Sequence, residues 1–262
     1  MNTQAIGLFD SGVGGITIWQ AIKKILPNEH TIYLADNQNA PYGEKSKDEI
    51  IALSEKNTEF LLNQNVKLIV VACNTASTNA IPHLRQKYKI PFIRIQPAIK
   101  PAGLQSRTKV IGLLATKATL ESTMLEELKQ VIPTQDIDIV GKYGKGLVEI
   151  VENNRMESPE TYELLQKYLQ PMLDKNVDQL VLGCTHYPFL IPQMQKILGQ
   201  QVQIIEPGMA IARQTKRILT EFDLLAPENQ HAKHYFYANK STKALQSILR
   251  NYPEALIQKL AF

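Results

Sequence analysis

Two cysteines are the residues of this chain best placed to do chemistry. Cys73 lies in VVACNTAS (residues 70–77) and Cys184 in LVLGCTHYP (residues 180–188). Each follows an apolar run and a small residue, and each is followed by side chains that can hydrogen-bond. Each thiol is therefore expected at the carboxyl end of a β-strand, just before a helix. In open α/β sheets that is the edge where ligands bind. The positive end of a helix dipole there lowers a thiol pKa from about 8.5. A single such cysteine would read as inert core; two at matching positions point to one shared task.

Matching segments around the cysteines suggest that two related halves position them. KVIGLLAT (109–116) resembles QAIGLFDS (4–11), and DQLVLGCT (178–185) resembles KLIVVACN (67–74). The order is the same and the spacing nearly so, as expected of an internal duplication. QIIEPG (203–208) parallels FIRIQP (92–97) as the strand after each cysteine unit. Around these segments, short apolar runs alternate with amphipathic stretches. AIGLFD, TIYLAD, KLIVVAC and PFIRIQ read as strands. The stretch beginning at Ser46, with Glu49 three residues on, reads as a helix with a capping box. Such alternation predicts an α/β fold of two pseudo-symmetric lobes, each a mostly parallel sheet covered by helices. HYFYAN is a further strand, followed by a helix capped by Ser241; the pattern does not say which lobe they join.

If two such lobes face each other about a pseudo-twofold axis, both thiols meet one cleft. A proton can then leave one face of a carbon and return on the other, which is racemisation or epimerisation. A nucleophile needs one thiol and a base, so two opposed thiols favour proton transfer, each with a local helper. His186, two residues after Cys184, is placed to help that thiol. Asp10 ends the first strand at the same sheet edge as Cys73, although its position taken by itself favours an aspartate that caps the next helix. His30, His83, His231 and His234 have no comparable setting and read as surface or structural.

Other classes are weaker on the same residues. Gly12-Val13-Gly14-Gly15 follows a strand, and Asp36 ends the next one, close to a dinucleotide fingerprint; the third glycine, however, would fall at Thr17. The turn remains a nest of backbone N–H groups suited to a carboxylate. Cys73, Cys184 and His186 lack the local pair spacing of a zinc site. With 44% hydrophobic and 21% charged residues the chain can bury a sizeable core, and its +4 charge is scattered, with no basic stripe for nucleic acid. No signal peptide is evident, and no run approaches the roughly 18 apolar residues of a membrane span. Two cysteines form no disulfide framework, so a cytoplasmic location is expected.

Taken together, GLFDSGVGG, ADNQNAPYG, VVACNTAS, GLLATKAT and LGCTHYP resemble glutamate racemase, of the aspartate/glutamate racemase superfamily. The resemblance implies two lobes with the active site in the cleft between them, residues 1–97 plus 209–262 forming the first and 98–208 the second. It implies a cofactor-independent interconversion of L- and D-glutamate that supplies D-glutamate for peptidoglycan, with no metal. Cys73 would take the proton from the D-isomer and Cys184 from the L-isomer, assisted by Asp10 and His186 respectively. Ser11, Tyr42, Gly43, Asn74, Thr75 and Thr185, with Asp10 and His186, would contact substrate. A glutamate assists the second thiol in the family; GLVEIVENN offers Glu149 and Glu152, and the register favours Glu152. Family members are commonly homodimers. An aspartate racemase uses the same arrangement, and a binding or regulatory protein without turnover is a further class. Modulation of DNA gyrase goes with extra N-terminal sequence, which is not expected here because the first strand begins by residue 5.

Overall fold

The computed structural model describes residues 2–122 and 137–262. The chain divides into two compact units, Met1–Ile95 with Gly208–Phe262, and Gln96–Pro207.

The first unit is built on a six-stranded sheet. Its strands are β1 (Ile6–Asp10), β2 (Thr31–Ala35), β3 (Leu68–Val71), β4 (Phe92–Arg94), β9 (His234–Ala238) and β10 (Ala255–Lys259), in the order β10-β9-β2-β1-β3-β4. All neighbours are parallel. The central strands IGLFD and LIVV are buried at every position, the continuous apolar reading of strands covered on both faces. Helices α1 (Ile16–Ile25), α2 (Lys47–Asn63) and α3 (Asn74–Lys87) connect them. The Ser46–Glu49 capping box starts α2. Gly15 leads into α1 where a Cβ would lie 2.8 Å from Ala72 Cβ and 2.9 Å from Ala72 O, so only glycine admits this approach of helix to strand end.

The second unit carries a four-stranded parallel sheet ordered β6-β5-β7-β8, with β5 Val110–Ala115, β6 Asp138–Tyr143, β7 Gln179–Gly183 and β8 Gln203–Ile205. Helices including Pro159–Leu173 and Ile191–Leu198 accompany it. Gly183 closes β7, and a Cβ there would sit 2.7 Å from Ala115 Cβ on the neighbouring strand. No helix among the described residues is long and apolar enough to cross a membrane.

Two details differ from the sequence reading. The helix after β9 begins at Lys243 with Thr242 as its N-cap, and no side chain closes that cap; Ser241 Oγ accepts only the Lys243 N–H, at 3.3 Å. β6 and β10 are strands that the apolar pattern did not predict, because β6 is fully buried at one position and β10, a sheet edge, at none.

At the amino ends of the strands, Lys67 and Glu29 form a buried ion pair, Nζ to Oε2 at 2.6 Å. Lys67 Nζ also donates to the Asn2 carbonyl, and Glu29 Oε1 accepts the Ala226 N–H. Nearby, the Trp19 indole N–H donates to Thr31 Oγ1, which lies 2.9 Å from His234 Nδ1. Burial, with the Lys23 charge, lowers the His234 pKa from 6.5 to about 4. Because the folded value lies below the unfolded one, this histidine's contribution is complete above pH 6.5 and is lost as pH falls towards 4. The loss amounts to about 3 kcal/mol. A His234→Gln variant is expected to show a flatter dependence of urea midpoint on pH between 4 and 6.5; an unchanged slope would place the acid sensitivity elsewhere.

Candidate active site

The carboxyl end of the first sheet carries most of the residues singled out from sequence. Asp10 ends β1 and is fully buried; its Oδ1 accepts the Gly12 N–H at 2.8 Å. Next to it, Ser11 Oγ lies 3.8 Å from Cys73 Sγ. Cys73 is the N-cap of α3, and its sulfur accepts the Ala76 N–H at 3.5 Å. That N–H belongs to the first turn, so the helix directs a donor and its positive end at the sulfur.

Asn74 follows the thiol and is buried, yet neither its amide oxygen nor its amide nitrogen has a hydrogen-bond partner among the described residues. An unsatisfied buried polar group costs about 1–3 kcal/mol, a cost that a ligand with matching groups removes. Thr75 is buried beside it. Tyr42 and Gly43, in a short 3₁₀ turn (Tyr42–Glu44), are buried as well, and Tyr42 packs in the same apolar cluster as Cys73. The Tyr42 hydroxyl donates to Asp36 Oδ2 at 2.5 Å and accepts the Asn57 amide at 3.0 Å. Burial first, then the Asp36 carboxylate, raise the Tyr42 pKa well above 10, so this phenol keeps its proton. Asp36, weighed from sequence as the acid of a nucleotide fingerprint, has its carboxylate bound by Tyr42, Asn39 and Asn239 instead.

In the second unit Cys184 directly follows β7, with Thr185 and His186 buried beside it. His186 Nδ1 is 3.9 Å from Cys184 Sγ, while its Nε2 is 2.7 Å from Glu152 Oε1. A carboxylate at Nε2 holds the proton on that nitrogen and turns Nδ1, as an acceptor, towards the sulfur. Of the two candidate glutamates the structure thus brings Glu152 to the histidine. Glu149 lies one turn earlier on the helix Leu147–Glu152, with its carbonyl accepting from Asn153.

One expectation at this thiol needs correcting. Cys184 does not stand directly before an α-helix as Cys73 does. A 3₁₀ turn (Tyr187–Leu190) intervenes, and the helix begins at Ile191. The N–H three residues beyond Cys184, that of Tyr187, bonds to the Cys184 carbonyl at 3.2 Å, so the second sulfur has a histidine beside it where the first has a helix N-terminus. Of the remaining histidines, His83 pairs with Glu55 at the surface and His234 is buried against Thr31.

Residues 15–215 match the family model described as Asp/Glu/Hydantoin racemase. The chain belongs to that family. It is 44% identical over 230 residues to the glutamate racemase of Herpetosiphon aurantiacus, covering 87% of this chain and 89% of that one. The glutamate racemase isoform RacE1 of Bacillus anthracis has a crystal structure that superposes with a TM-score of 0.89 at 30% identity, covering 100% of this chain and 99% of that one. The Escherichia coli glutamate racemase, solved in complex with L-glutamate and activator UDP-MurNAc-ala, superposes with a TM-score of 0.86 at 33% identity, with 98% of each chain covered. The protein is therefore an amino-acid racemase, an isomerase, and the racemase's two sheets match theirs in architecture.

Proposed function

We propose that this racemase interconverts L- and D-glutamate by two-base proton transfer without a cofactor. Cys73 removes the α-proton of the D-isomer and Cys184 that of the L-isomer, each delivering a proton to the face opposite the one the other has stripped. The observation that carries this reading is that each thiol, at the end of a central strand, has its own means of handling charge. Cys73 has the N-terminus of α3, with Asp10 on the neighbouring strand, and the anion formed there is stabilised by N–H donors. Cys184 has the His186–Glu152 pair, which can take its proton and give it back.

The substrate's charged groups find partners among Ser11, Asn74, Thr75, Tyr42, Gly43 and Thr185, and the unpaired Asn74 amide supports this most directly. The acid is glutamate because the curated relatives at about 40% identity carry that name and the E. coli structure holds L-glutamate. The product D-glutamate serves peptidoglycan synthesis. Both cysteines are free thiols, and a reaction that needs thiolates belongs in the reducing cytoplasm.

The test is α-proton exchange in D2O with purified protein and each isomer of glutamate and aspartate. Both glutamate isomers should racemise, with deuterium at Cα of the product. Turnover of aspartate alone would replace the substrate assignment, and no exchange with either acid would reject the enzymatic reading.

A further inference from the structure

The loop that carries Tyr42 and Gly43 is fastened to a part of the chain about two hundred residues away. β2 and β9 lie side by side with Ala35 opposite Ala238, so the residues that follow each strand, Asp36–Asn37 and Asn239–Ser241, leave the sheet together. Two asparagines then cross-link them in both directions. Asn37 Oδ1 accepts the Lys240 N–H at 2.9 Å, and its Nδ2 donates to the Ser241 carbonyl at 2.7 Å. Asn239 Oδ1 accepts the Gln38 N–H at 2.9 Å, and its Nδ2 donates to Asp36 Oδ1. Each amide thus spends its donor and its acceptor on the opposite segment.

Asp36 passes this connection inward. One carboxylate oxygen takes Asn239 and Asn39, while the other takes the Tyr42 hydroxyl. Tyr42 is held from the far side by Asn57 of α2 and packs with Cys73. The path from Asn239 to the thiol's surroundings therefore runs through two side chains, both buried. Asparagine is a poor strand or helix former favoured in turns; here both its amide atoms are used, which a shorter or uncharged apolar residue could not imitate.

We infer that Asn37 and Asn239 form a clasp through which the C-terminal segment positions the Asp36–Glu44 loop at Cys73, making Asn239 a positioning residue for substrate binding. The inference rests on the reading of Tyr42 and Gly43 as substrate contacts. None of the clasp's hydrogen bonds is made to Cys73 or to the residues read as substrate contacts, so its loss should act on the geometry of the loop. A displacement of about an ångström in a binding group is enough to change rates and affinities by one to two orders of magnitude.

The experiment compares wild type, Asn37→Ala, Asn239→Ala and the double variant by two readouts. The first is KM and kcat for D- and L-glutamate. The second is the rate at which iodoacetamide alkylates Cys73 relative to Cys184, followed by peptide mass. Asn239→Ala should raise KM about tenfold with a smaller change in kcat, and raise the Cys73 alkylation rate by a similar factor while Cys184 stays the same. The double variant should be little worse than the poorer single one, since the two side chains act as a unit. A fall in kcat at unchanged KM, in step with lost folded protein, would make Asn239 merely structural and overturn the inference, as would faster alkylation without a change in KM. If wild type does not turn over glutamate, the functional reading fails on its own. Alkylation then still decides the clasp: equal Cys73 rates in wild type and variants would overturn it.

Discussion

Replacing Cys184 by serine is expected to abolish racemisation while leaving one half of the reaction running. A hydroxyl keeps the shape of the thiol but is a far weaker acid, so it cannot deliver a proton to the carbanion's second face. The expected loss of interconversion is at least about 10³-fold, in the upper part of the range for a positioned acid or base. On the proposed assignment Cys73 still meets the D-isomer as a base; its S–H exchanges with D2O, and the deuteron goes back only to the same face. Cys184→Ser should therefore exchange the α-proton of D-glutamate for deuterium without inversion and leave L-glutamate unlabelled. Cys73→Ser should do the converse. Proton NMR of the α-position together with chiral chromatography separates exchange from inversion. Normal racemisation by either variant would show that its thiol is only core. Labelling of the wrong isomer would exchange the roles given to the two cysteines.

A second large effect is expected far from either thiol. Lys67→Met leaves the Glu29 carboxylate buried with its cationic partner gone, although the Ala226 N–H remains bonded to it. Breaking a buried pair in this way costs about 3–5 kcal/mol, because the surviving charge loses its compensation while staying away from water. Joint replacement, Glu29→Gln with Lys67→Met, removes both charges and should recover more than half of that loss. The chain's sole tryptophan, Trp19, is buried in α1 of the same unit, so its fluorescence during urea unfolding reports this unit. A shift below about 1 kcal/mol for the single variant would mean that Glu29 reaches water or another partner once the lysine is gone.

Much of the architecture was legible because buried parallel strands read as unbroken apolar runs, as in IGLFD and LIVV. The strands that escaped notice are those the tertiary structure makes without burying. β10 is an exposed edge held by its pairing to β9, and DIVGKY interleaves charge with apolar residues. The thiols announced themselves by local context, since a residue just past a strand is placed by the strand alone. Candidate helpers that come from elsewhere in the chain did not. Glu149 and Glu152 could be ranked only weakly until the helix that bears them was seen to present Glu152 to His186. Asp36 looked like a nucleotide ligand because its true partners, Tyr42 and Asn239, are defined by a loop and by a strand about two hundred residues downstream. Pro188 stands near the start of a 3₁₀ turn rather than of an α-helix, a distinction that a proline alone does not make.

The strand order of the first sheet also dictates a timetable for synthesis. The second unit, Gln96–Pro207, is continuous in the chain, so its four described strands have all been synthesised before residue 208 is added. The first unit begins earlier but finishes last. β2 spans residues 31–35, and its outer neighbour β9 spans 234–238. Until β9 arrives, β2 presents an unpaired edge rich in β-formers, TIYLA, the kind of edge that recruits other chains. Pairings of such long sequence separation are slow to close, and a nascent chain is most exposed to aggregation while they are open. The early loop that holds Tyr42 is likewise unfastened until Asn239 emerges, so Tyr42 and Gly43, which are expected to bind substrate, take their final positions only after that residue has been made.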